Sequence, residues 1–164
     1  KDRYRMYHVE RAKAGIAMTM TAGSAAVSRD SPPVFNNLLV YRDEVVDWMK
    51  RLVDECHDHG AAVMIQLTHL GRRTRWDKGD WLPVVSSSNL REPAHRAFPK
   101  PAEDWDIARI TRDYADAAER MKAAGIDGIE FLRQIRARSA TRSVEVPIIV
   151  ITAYGSVETA VAAV

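Results

Sequence analysis

One pattern recurs along this 164-residue chain: an amphipathic, charge-rich stretch, a glycine, then a short apolar run. Gly15 precedes Ile16–Thr21, Gly60 precedes Ala61–Leu67, and Gly125 precedes Ile126–Glu130. Glycine just past a helix takes the left-handed C-cap conformation without a Cβ clash. Helices alternating with apolar strands predict βαβ units and a parallel sheet with the helices outside. A further run, Val146–Thr152, is nearly all apolar and β-branched, as in strands covered on both faces. Four strands make either half a barrel or an open flavodoxin-like sheet. A whole (βα)8 barrel takes about 250 residues, so a barrel here is partial. Its inner face and two edges stay open, which invites self-association.

The helices follow from spacing. Asp2–Ala14 is predicted as a charged helix closed by Gly15. Ala22–Arg42 reads as a loop of small residues and prolines. Asp43 is placed to cap a second helix, with Val45, Met49, Leu52, Val53 and Cys56 on one buried stripe. Thr68–Glu103 is long for a connection inside a compact domain, and such loops are usually functional or disordered. Asp104 is placed to cap a third helix, with Ile107, Ile110, Tyr114, Ala117, Ala118 and Met121 on one face. Phe131–Arg138 and Val157–Val164 read as two short helices, the last capped by Ser156.

The net charge of +2, with both signs interspersed, argues for neither nucleic acid nor a membrane surface as partner. No run is long and apolar enough to span a bilayer. One cysteine, Cys56, forms no internal disulfide and suits a reducing cytoplasm. Lys1-Asp2-Arg3-Tyr4-Arg5 has no signal-peptide core behind it and reads as the middle of a longer protein.

The chemistry gathers after the second strand. Gln66, His69 and Arg72 emerge at its C-terminal end, where parallel α/β folds bind ligands. A glutamine offers one carbonyl and one NH2 group, so it can read a planar ring such as the pyrimidine edge of a flavin. It can equally cap its own strand. His69 can pack and Arg72 can pair with a carboxylate, or both can face a ligand. Arg72, Arg73 and Arg75 suit an anionic substrate, although a solvated basic loop explains them too. Cys56-His57-Asp58-His59 is no metal site, because only Cys56 and His59 share a helix face and two ligands fall short of a tetrahedral set.

Gln66-Leu67-Thr68-His69-Leu70-Gly71-Arg72 resembles the Q-L-x-H-x-G-R signature of the FMN-dependent old yellow enzyme family. The nearest branch is that of NADH:flavin oxidoreductases with dienoyl-CoA reductases and N-methyl-amino-acid demethylases. Tyr7–Gly15 resembles the helix after the family's first strand, and Asp127-Gly128-Ile129-Glu130 resembles its fourth strand. The resemblance covers residues 1–130 and implies a partial (βα)8 TIM barrel. It also implies FMN as cofactor, NAD(P)H as reductant, and an alkene or amine as small-molecule substrate. By the same resemblance Gln66, Ala22 and Gly23 contact the flavin, and His69 and Arg72 shape the substrate mouth. No catalytic residue is assigned. Glu130 leads into Phe131-Leu132-Arg133, where the family has a histidine- or tyrosine-bearing segment. The first strand and the phosphate-holding last strands have no counterpart.

Asp127–Leu132 followed by Val146–Gly155 resembles a bacterial response-regulator receiver, a flavodoxin-like fold. A junction is expected at Asp127–Glu130, with 127–164 a receiver-like βα segment packed into the same domain. Thr152-Ala153 resembles the receiver's switch pair, but the acid cluster that holds Mg²⁺ and the phosphoacceptor are missing. The leading expectation is therefore an incomplete FMN-dependent oxidoreductase. A receiver-type signalling module without its acceptor, and a ligand-free structural recombinant, are the alternatives.

Overall fold

The computed structural model describes residues 2–21, 25–31, 38–73, 83–93 and 98–126. The chain divides into two compact units, Lys1–Ile126 and Asp127–Val164, and the described residues all belong to the first. Ala22 and Gly23 lie outside the described residues. So do the end of the Ile126–Glu130 run and the whole receiver-like segment.

Helix α1 spans Asp2–Lys13 and strand β1 Met18–Met20, with β2 at Ala25–Ala26. Helix α2 spans Val45–Asp58, followed by β3 at Ala62–Met64 and β4 at Leu67–Thr68. A single 3-10 turn, Gly71–Arg73, closes the strand end. Two short strands, β5 (Val85–Ser86) and β6 (Lys100–Pro101), pair before helix α3, Asp104–Ala123.

Strand β1 pairs parallel with β3, with Thr19 opposite Val63. Strand β2 pairs parallel with β4, with Ala25 opposite Leu67. The connection between the two paired strands carries α2, which makes the βαβ unit read from the sequence. Gly60 holds φ +74° just past α2, the conformation that closes a helix at little cost only when Cβ is absent.

The core forms where the three helices meet the sheet. Val45, Trp48, Met49, Leu52, Val53 and Cys56 of α2 are all buried, so the stripe expected for this helix is the observed one with Trp48 added. Val9 and Ala12 of α1 join it, as do Ala117 and Met121 of α3. Fully burying Met49 or Leu52 contributes about 1.5–3 kcal/mol each.

Side chains alternate across the strands. Thr19 and Val63 are buried, and the Thr19 hydroxyl meets Nδ1 of buried His8 on α1 at 2.6 Å. The helices therefore cover that face. Met18 and Met20 point the other way, and Met20 is 53% exposed.

Three expectations need correction. Asp43 does not cap α2; the N-cap is Glu44, and Asp43 pairs with Arg120 of α3 at 2.6 Å. The cap of α3 is Glu103, one residue before Asp104, and the Asp106 carboxylate accepts the Glu103 backbone N–H at 3.0 Å. Ile107 is 55% exposed and Ala118 is also exposed, so neither belongs to the core stripe. The physical reason is that Asp106 turns inward. Its carboxylate is buried and bonded to Lys100, which rotates the buried face onto Asp106, Ala117, Met121 and Ala124. Among the described residues no helix is long and apolar enough to cross a membrane.

Candidate functional site

Parallel pairing runs on past β1 and β3 and fixes where Gln66 stands. The Thr21 N–H donates to the Met64 carbonyl at 2.9 Å, and the Val27 N–H donates to the Thr68 carbonyl at 3.1 Å. Between them the Ala25 N–H reaches the Gln66 carbonyl at 3.4 Å. The Gln66 backbone is thus built into the strand pair. Its side chain is exposed and makes no hydrogen bond among the described residues. Nothing observed supports the alternative in which this amide caps its own strand.

Past β4, three consecutive loop amides, those of His69, Leu70 and Gly71, donate to side chains. The His69 N–H donates to the Tyr114 hydroxyl of α3 at 2.8 Å. The Leu70 N–H donates to the Ser31 hydroxyl at 2.7 Å. The Gly71 N–H donates to Nδ1 of His69 at 3.1 Å. Since Nδ1 accepts, the ring proton sits on Nε2, which faces Asp30 Oδ1 at 3.1 Å.

Asp30 is the hub. It is 5% exposed and also accepts from the Ser28 hydroxyl at 2.5 Å and from the Arg109 guanidinium fork. Burial works to raise its pKa. The hydrogen bonds from His69, Arg109 and Ser28 overcome burial and hold the carboxyl well below the usual carboxylate range. Arg109 also bonds Asp113 at 3.0 Å, and these carboxylates outweigh burial to raise its own pKa.

The His69 side chain is 8% exposed and both ring nitrogens are engaged, which accords with the packing alternative raised for it from the sequence. Arg72 is part-exposed on the 3-10 turn, and among the described residues its guanidinium reaches the Leu90 carbonyl at 3.5 Å. A groove of about 430 Å³ opens beside the hub, lined in part by Val27, Tyr41, Trp105, Arg109 and Asp113. Gln66, His69 and Arg72 do not line it. Sequence reasoning missed Asp30, Arg109 and Tyr114. Ser28-Arg29-Asp30-Ser31 looks like ordinary turn chemistry, and its partners lie 39 and 79 residues away.

Residues 1–134 match the NADH:flavin oxidoreductase / NADH oxidase family. The chain belongs to this family. The lineage is that of FMN-dependent, old yellow enzyme-like oxidoreductases. A probable N-methylproline demethylase of Rhizobium meliloti is 73% identical over 130 residues, which are 79% of this chain and 19% of that protein. The multifunctional alkene reductase/demethylase OYE of Caballeronia cordobensis is 47% identical over 127 residues, 77% of this chain and 19% of that protein. The chain thus spans about a fifth of the length of these relatives.

Among solved structures, morphinone reductase in complex with tetrahydroNAD superposes with a TM-score of 0.68 at 24% identity, over 76% of this chain and 38% of that one. Old Yellow Enzyme from Pichia gives 0.69 at 23% identity, over 77% of this chain and 35% of that one. These likenesses show the fold: β1 and β3 are neighbouring strands of a segment of an old yellow enzyme barrel. The family match ends at residue 134, so the receiver-like half of the expected architecture rests on the sequence pattern of 127–164 alone.

Proposed function

We propose that this chain is the Gln66-bearing segment of an FMN-dependent oxidoreductase acting on N-methylated amino acids. The observation that carries it is the exposed Gln66 amide, without a partner among the described residues, at the C-terminal end of a parallel strand pair. Bound FMN supplies the two-electron hydride chemistry, and the protein supplies orientation and electrostatics. Gln66 fits that group. Its NH2 can donate to a ring carbonyl while its own carbonyl accepts an imide N–H. Each such bond is worth about 0.5–1.5 kcal/mol net. Ala22 and Gly23 would let the ring approach the backbone.

The substrate class follows the Rhizobium relative, whose name is that of an N-methylproline demethylase. An N-methylated amino acid carries a carboxylate, and Arg72 offers a part-exposed guanidinium on the loop beside Gln66. Small molecules are thus the partners: an N-methylated amino acid would itself supply the hydride, so an oxidised acceptor such as NAD(P)+ would be needed to take it on, whereas NAD(P)H would serve as reductant only towards an alkene. Nucleic acid and membrane have no place in the proposal, which sets the protein in the cytoplasm. The exposed Met18 and Met20 favour self-association through the uncovered sheet face. A receiver-like role for 127–164 adds no phosphotransfer, since its acid cluster is missing.

The test is a visible absorption spectrum of the purified chain, before and after FMN addition and desalting. Retained flavin absorbance, with affinity weakened about tenfold in Gln66→Ala, is the expected result. A colourless chain with no saturable FMN binding overturns the proposal.

A further inference from the structure

We propose that Asp30 is a positioning residue of this site: backed by Arg109, it fixes the His69 ring and, through that ring, the loop that carries Arg72 past Gln66.

Three consecutive amides of the loop, those of His69, Leu70 and Gly71, end on side-chain acceptors: the Tyr114 hydroxyl, the Ser31 hydroxyl and His69 Nδ1. No strand ladder fixes the backbone here, so those side chains do. The His69 ring links the loop to itself and to the rest of the protein. It can accept from Gly71 only in the tautomer with the proton on Nε2. Asp30 selects that tautomer by presenting Oδ1 to Nε2 at 3.1 Å.

Asp30 in turn is aimed by its other donors. The Ser28 hydroxyl bonds Oδ1, and the Arg109 fork spans both carboxylate oxygens. A planar fork on a planar carboxylate sets orientation as well as charge, which a lysine would not. Arg109 is itself steadied by Asp113 one helical turn further along α3. The chain of contacts therefore runs from α3 through Asp30 and His69 to Gly71, which begins the turn that holds Arg72. The low pKa direction of Asp30 agrees with this count of donors.

An ion cluster that only adds stability would leave His69 indifferent to its neighbour's charge. Asp30→Asn separates the two cases, because it keeps the shape, removes the charge, and sets an NH2 against the Arg109 fork or the His69 Nε2–H. In the full chain, nitrogen-15 spectra of the His69 ring should show a single Nε2–H tautomer, and Asp30→Asn should mix the tautomers. Exchange of the Gly71 amide should quicken at least about tenfold. Arg109→Lys keeps the charge and loses the fork, so it should give the same changes to a smaller degree and serves if Asp30→Asn does not fold. An unchanged tautomer and unchanged Gly71 protection in a folded variant overturn the proposal.

The link from loop to ligand rests on the flavin reading, so FMN titration forms a separate arm. Asp30→Asn should weaken FMN binding, and the loss should be non-additive with Gln66→Ala. If the unmodified chain binds no FMN, the flavin reading fails, while the ring and amide measurements still decide whether Asp30 fixes the loop.

Discussion

The Tyr114 hydroxyl accepts the His69 backbone N–H at 2.8 Å, tying the middle of α3 to the loop that follows Gln66. Tyr114→Phe removes the acceptor and keeps the ring. The stranded N–H should cost about 1–3 kcal/mol. A urea midpoint lowered with an unchanged slope is the expected result. A midpoint equal to that of the unmodified chain would show that this tie carries no stability.

Met49 and Met20 are the same residue type on opposite sides of the sheet layer. Met49 is fully buried, so Met49→Ala should cost about 2–5 kcal/mol. Met20 is open, so Met20→Ala in a monomer should stay within about 0.5 kcal/mol. Light scattering adds the second readout. If copies associate through the Met18 and Met20 face, Met20→Lys should shift the mass towards monomer. A monomeric mass for the unmodified chain at all concentrations would dismiss that association.

His8 predicts acid sensitivity in a definite window. Burial, and then the nearby Arg11 charge, lower its pKa from the ordinary 6.5. A lowered folded-state value means that the unfolded chain takes up the proton first. The contribution is complete above the unfolded pKa and is lost as pH falls from about 6.5 towards the lower folded value. Thermal melts between neutral pH and mildly acid pH should therefore slope downward, and His8→Asn should flatten that slope. Equal slopes in the two proteins would remove His8 from the account.

The buried carboxylate acts lower on the scale. Asp30 has a depressed folded-state pKa, so its contribution is present above the ordinary value of 3.8 and fades as pH falls below it. Acid unfolding of Asp30→Asn should lack this second loss. Identical acid limbs for the two chains would argue that the hub is not maintained in solution.

Two glycines separate strain from crowding. Gly60 has φ +74° with open space where a Cβ would stand, so alanine there should cost about 1 kcal/mol from strain alone. Gly125 has φ +92°, and a Cβ would meet Val53 Cγ1 at 3.2 Å in the core. Gly125→Ala should therefore lose more than Gly60→Ala. Calorimetric melting of both variants checks the order, and the reverse order would contradict the packing of Val53 against this turn.

The repeat of helix, glycine and apolar run was enough to place α1, α2, β1 and β3, because each of those signals lies within a few residues of the element it makes. The α2 stripe held for the same reason: its periodicity is local and strongly apolar. The α3 stripe slipped onto Asp106 because a part-buried ion pair with Lys100, six residues earlier, outweighed the apolar count. The position of Gln66 at a strand's C-terminal end was also legible, since a strand boundary is a local property.

The sequence by itself thus determined the order α1, β1, α2, β3 and α3, the parallel pairing of β1 with β3 and the family to which the Gln66–Arg72 string points, whereas the short strands β2, β5 and β6 lie in stretches it marked as loops. Only the tertiary structure decided what His69 does. Its ring meets Asp30 from 39 residues away and Arg109 meets the same carboxylate from 79 residues away. No periodicity records such a meeting, because it depends on how α3 and the 28–31 turn pack around the strand end. A histidine that the motif offers to a substrate becomes, once buried beside a carboxylate, the fastener of the loop that carries Arg72.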